Sequence, residues 1–222
     1  MLNYRTLLYV GLLSVLLLVS GAPNAHAIKP IERITNTSQN SALIYISNEI
    51  DHERAKQTVQ SMGEKAIGFL GDSGLSLAQK ERAFKEILTN NFDMKTIGRF
   101  ALGKNWRIAT AAEKEEYQRL FEQAAIRIYS SRFGEYQGEG FIVEKVRANG
   151  KKDALVTSYI VSKAGAKFQV DWRLRVKKDG SYKIIDILVE GVSMSLTQRS
   201  EFASIIQRGG GKISVLLDHL RK

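Results

Sequence analysis

The chain of 222 residues is 44% hydrophobic and 25% charged, which suits one globular domain with at most a small added subdomain and excludes a disordered protein. It contains no cysteine. Disulfides, thiolate nucleophiles, zinc–thiolate sites and a lipidated N-terminal cysteine are therefore excluded, while a formal net charge of +10 admits nucleic acid or anionic membrane surfaces as partners.

Residues 1–27 read as a signal peptide. Arg5 supplies the positive start, Leu7 to Val19 the apolar run, and Ala25-His26-Ala27 the small-x-small pattern that a signal peptidase accepts, so cleavage is expected after Ala27. The apolar run falls short of the roughly 20 residues that span a bilayer. The mature chain, 28–222, is expected to be one soluble domain beyond the inner membrane. An exported protein rarely meets nucleic acid, and the Lys and Arg residues are spread along every segment rather than gathered in one stripe. That pattern suits weak attraction to an anionic membrane surface.

Residues 28–40, with Pro30 and several Asn, Ser and Thr residues, read as a loose leader. Ser41 to Leu70 is helical in pattern and ends at Gly71-Asp72-Ser73-Gly74. Three capping boxes then predict helix starts: Ser76 with Gln79, Thr110 with Glu113, and Ser195 with Gln198. Each precedes an amphipathic run. Tyr117, Leu120, Phe121, Ala124, Ile128 and Tyr129, for example, recur at three- and four-residue steps. Ile97, Phe100 and Ala101 form one face of a shorter helix that Gly103 can end, with Trp106 just beyond.

Between the second capping box and the third lie four strand-like runs. Phe141 to Arg147 and Ala154 to Val161 are separated by Asn149-Gly150, and a hairpin follows. In the hairpin Phe168, Val170, Trp172 and Leu174 alternate with Gln169, Asp171, Arg173 and Arg175, and Asp179-Gly180 provides the turn into Tyr182 to Val189. Helices, then consecutive strands, then short helices indicate an α+β fold with a four-stranded antiparallel sheet. The dry face of that sheet needs a cover.

Catalytic groups are not evident. Only His52 and His219 remain after processing, each read as an exposed helical residue, and no HExxH, GxSxG or Walker A pattern occurs. Asp171 alternates to the wet strand face; Asp186 interrupts an apolar run, where it can bond a neighbour. No catalytic residue, metal or cofactor is assigned.

Two stretches carry a family resemblance. Phe92-Asp93-Met94-Lys95-Thr96-Ile97-Gly98-Arg99-Phe100-Ala101-Leu102-Gly103-Lys104-Asn105-Trp106 resembles the Phe-Asp, Ile, Arg, Leu-Gly and Trp pattern of the MlaC, or toluene-tolerance, family. Gly191-Val192-Ser193 with Gln198-Arg199 and Phe202 is similar to that family's segment near the C-terminus. The resemblance implies a twisted antiparallel sheet covered on one face by helices and enclosing an apolar cavity for acyl chains. It further implies a monomeric periplasmic phospholipid carrier that maintains outer-membrane lipid asymmetry. Its partners would be an inner-membrane ABC transporter complex and an outer-membrane lipoprotein–porin complex.

Candidate cavity walls are Phe168, Val170, Trp172 and Leu174 from the dry strand face, and Phe100, Tyr117, Phe121 and Ile128 from facing helices. Trp106 and Tyr159 complete the set. A packed core demands the same residue types as a lipid cavity. Two other readings therefore stay open at this point: an enzyme on a cone-shaped α+β scaffold acting on a small apolar substrate, and a cell-envelope structural protein with a solid core. Arg99 and Arg199 are expected to meet either carboxylates or a lipid phosphate, with Glu201 the nearer partner for Arg199.

Overall fold

The computed structural model describes residues 50–222; the expected signal peptide, the leader and the helix start at Ser41 lie outside them. Helix α1 spans His52–Gly71, with the Asp51 carboxylate accepting from the amide of Arg54. Helix α2 (Leu77–Asn91) begins at the Ser76–Gln79 capping box, whose two reciprocal hydrogen bonds satisfy amides that the first turn leaves without partners. Helix α3 (Met94–Leu102) stops where Gly103 takes φ +58°, and Trp106 falls in the four-residue helix α4 (Asn105–Ile108). Helix α5 (Ala111–Ser130) starts at the Thr110–Glu113 capping box.

The sheet runs β1 (Gly140–Asn149), β2 (Asp153–Val161), β3 (Lys167–Val176) and β4 (Tyr182–Val189), every neighbouring pair antiparallel. A fifth strand, β5 (Val192–Ser193), adds to the four expected. Glu190 and Gly191, both at positive φ, fold the chain back so that two residues pair with the end of β4. This return also corrects the third helix start. Helix α6 spans Met194–Arg208 with Ser193, not Ser195, as its N-cap, because the Ser193 hydroxyl accepts from the amide of Leu196. Helix α7 (Ile213–Arg221) closes the chain.

Cross-strand register puts Ala154, Val156, Ser158 and Ile160 on the same sheet face as Leu174, Trp172, Val170 and Phe168. Helices α1 and α2 cover this face, forming a core with Val59, Met62, Phe69 and Ile87. A second core lies elsewhere: Leu102, Tyr117, Leu120, Phe202, Leu216 and Leu217 pack α3, α5, α6 and α7 together. On the opposite sheet face Asp171 is buried, contrary to its expected wet position. The Thr157 hydroxyl donates to one carboxylate oxygen at 2.6 Å and the Gln169 amide to the other at 2.8 Å, which offsets the loss of water.

Candidate functional site

Between the two cores the walls do not meet. The gap between them is a cavity of about 270 Å³. Helix α1 contributes Met62, Ala66 and Leu70 at four-residue steps, α2 Phe84 and Ile87, α5 Phe121, Ala125 and Ile128, and the sheet Phe141, Ile160, Trp172 and Ile187. Met94, Ile97, Met194 and Phe202 close it from α3 and α6. The wall is overwhelmingly apolar.

Of the ten candidate wall residues, Phe121, Ile128 and Trp172 line this space. Trp172 is buried, donates from its indole nitrogen to the Ser158 hydroxyl at 2.8 Å, and meets Phe141 edge-on at 6.2 Å between centroids. Val170 and Leu174 share its face but belong to the solid core under α1 and α2; Phe168, half-buried, also stands outside the lining. Tyr117 is buried in the helical core, stacked on Phe121 and edge-on to Phe202, with its hydroxyl donating to the carbonyl of Gly98. Burial pushes its phenol well above the usual tyrosine range.

Three residues fall away from the cavity because of strand parity or helix phase. Tyr159 neighbours Ile160, which faces inward, so its own ring lies on the other face of the sheet with its hydroxyl toward Glu144. Ala101 and Leu102 take the buried side of α3, leaving Phe100 40% exposed beneath the Arg199 guanidinium, 5.3 Å from the ring centroid. Trp106 packs on the edge of the helical core with Arg99 and Lys114 over its ring. Arg199 thus meets a ring rather than Glu201; Glu201 instead accepts from Gln198, and burial raises its carboxyl above the usual value.

Polar groups in the wall are few. Asp186 accepts from the Ser193 hydroxyl at 2.7 Å and the Ser195 amide at 3.1 Å, tying β4 to the start of α6. Glu139 accepts from the amide of Gln137. His219, expected to be exposed, is half-buried at the wall, where burial and then the charges of Lys222 and Arg208 lower its pKa. Among the described residues no group of three or more His, Cys, Asp or Glu is placed to hold a metal ion, and no helix is long and apolar enough to cross a membrane. Asp186→Ala removes both ties at once. It is expected to cost about 2 kcal/mol of stability, read as a lower urea midpoint with an unchanged slope.

The model of the family described as MlaC protein matches residues 60–222. The chain belongs to the MlaC family. Its relatives include the toluene tolerance protein ttg2D of Pseudomonas putida, 26% identical over 112 residues, which make up 50% of this chain and 52% of that protein. The chain thus spans about half the length of this curated relative. Its fold is similar to the solved structure of a phospholipid-binding protein from Ralstonia solanacearum in complex with a phospholipid. The TM-score is 0.66 at 24% identity, covering 75% of this chain and 94% of that one. Within this MlaC-family fold the α1 and α2 walls escaped sequence reasoning, although the steps 62, 66, 70 and 63, 67 carried the signal of a shared helix face.

Proposed function

We propose that this chain is a periplasmic phospholipid carrier, holding acyl chains between its two cores and shuttling lipid between the outer membrane and an inner-membrane ABC transporter. On this reading it serves outer-membrane lipid asymmetry and meets an outer-membrane lipoprotein–porin complex at one end of its path. The observation that carries the reading is the apolar gap itself. Membership of the MlaC family and a fold likeness to a protein solved with a phospholipid support it.

The energetics favour carriage by handover. Burying each CH2 contributes about 0.8 kcal/mol, so a lipid with about 30 such groups gains roughly 24 kcal/mol over water. Release into water is then prohibitively slow. A bilayer or a partner's apolar channel offers nearly the same burial, so exchange there is close to neutral. Such a protein needs a dry cavity and a docking surface, not a catalytic group, and Asp186 and Glu139 are engaged by backbone and hydroxyl donors.

The test is mass spectrometry of lipid extracted from gently purified protein, beside the variant Ala125→Phe. Ala125 lines the gap from α5 and is half-exposed, so a ring there should enter the space without disturbing either core. Phospholipid is expected with the wild-type protein and several-fold less with the variant, at a similar melting temperature. If no phospholipid co-purifies, and the delipidated protein neither binds labelled phospholipid nor exchanges it, the carrier reading fails.

A further inference from the structure

Outside the cavity, α3, α4 and the start of α6 combine exposed apolar side chains with cations that have no ion-pair partner among the described residues. Leu196 and Arg199 are one turn apart on α6. Arg199 covers Phe100 of α3; Arg99 beside it lies 6.0 Å from the Trp106 ring centroid, and Lys114 of α5 lies 5.7 Å from the same ring. From Met94 to Thr110 the chain carries Lys95, Arg99, Lys104 and Arg107 and no acidic residue. None of these four, nor Arg199, enters any of the salt bridges found among the described residues. Three of the six large hydrophobic side chains most exposed among those residues are here: Ile108 at 69%, Leu196 at 54% and Phe100 at 40%.

We propose that this face of α3, α4 and the start of α6 is a docking surface for an anionic phospholipid bilayer. Charge complementarity demands an anionic occupant, and aliphatic tips among long, unpaired cationic side chains demand an apolar phase within a side-chain length of that charge. A bilayer surface presents both at that spacing: phosphates outermost and acyl chains about 5–10 Å below. A folded acidic protein surface satisfies the cations but offers the protruding Ile108 and Leu196 no such layer. Helices α3 and α6 also wall the cavity, through Ile97 of α3, one turn before Phe100, and Phe202 of α6, one turn after Arg199. Docking on this face therefore sets the cavity beside the membrane.

The test is sedimentation of the soluble protein, as recovered from the producing cell, with vesicles of phosphatidylcholine alone or with one-third phosphatidylglycerol. Binding is expected to the anionic vesicles at low salt and to weaken as salt rises. The variant Lys95→Gln/Lys104→Gln/Arg107→Gln removes cations that cover no ring; it should fold normally and lower the partition by about tenfold or more. Phe100→Ser/Leu196→Ser should also weaken binding while keeping the salt dependence. Lys151→Gln/Lys152→Gln, at the β1–β2 turn and outside α3, α4 and α6, should change little. Equal binding to both vesicle types, or wild-type binding by the triple cation variant, overturns the proposal. So does a triple variant that keeps vesicle binding yet loses exchange with an isolated transport complex, because this face then meets an acidic protein. Lipid co-purifying with the triple variant at the wild-type level separates a failure of docking from a failure of carriage.

Discussion

Trp172→Asp is expected to leave little folded or lipid-loaded protein. The indole is buried, lines the gap, touches Phe141 and donates to Ser158. Deleting a buried Trp costs about 3–5 kcal/mol, and a carboxylate on that apolar wall adds a desolvation penalty. Against a total of about 5–15 kcal/mol, that loss approaches the whole stability. Arg173→Gln, one residue along and on the opposite face, is the matched comparison. Its side chain is half-buried and its buried Nε lacks a hydrogen-bond partner, so a neutral amide there should cost less than about 1 kcal/mol. Circular dichroism melts and lipid content of both variants decide the matter. Equal loading at wild-type stability would show that Trp172 is not part of the wall.

The second large effect is at Gly63 of α1. A Cβ there would stand 2.2 Å from two ring carbons of Phe141, far inside contact distance, so even alanine must push the ring away from Gly63. Phe141 is itself a wall residue packed on Trp172, and its displacement disturbs the cavity as well as the fold. Gly63→Ala is expected to cost about 1–3 kcal/mol, and Gly63→Leu more, with lipid content falling in the same order. Gly68, five residues along the same helix, has nothing within 4 Å of its would-be Cβ. Gly68→Ala should therefore raise stability by up to about 1 kcal/mol through helix propensity alone. Opposite signs from one substitution type on one helix identify the Phe141 contact as the cause. A Gly63→Ala variant as stable and as loaded as wild type would rule that contact out.

Much of this architecture was legible in the chain. Alternation from Phe168 to Leu174 marked β3 and its dry face, two capping boxes marked the starts of α2 and α5, and the Phe92–Trp106 and Gly191–Phe202 stretches carried the family. Each of these signals is local, because turn geometry, side-chain period and end-capping are settled within a few residues. Ser193 displaced Ser195 as a cap only because β5 pairs with β4 and Asp186 takes the Ser195 amide, a contact across nine residues. Phe100 and Phe121 are both aromatic residues on amphipathic helices, yet one lies under an arginine at the surface and the other lines the cavity.

Sequence by itself determined the apolar face of β3 and the apolar stripe of α5. The tertiary structure decided which apolar sides press together and which stand apart. Val170 and Leu174 became solid core in the cluster that α1 joins through Val59 and α2 through Ile87, whereas Trp172, between them on the same face and in the same cluster, also reaches the space left where the sheet core and the helical core fail to close. Packing and enclosing a cavity call on the same side chains, and the distance between two opposed faces is set by the elements that hold them.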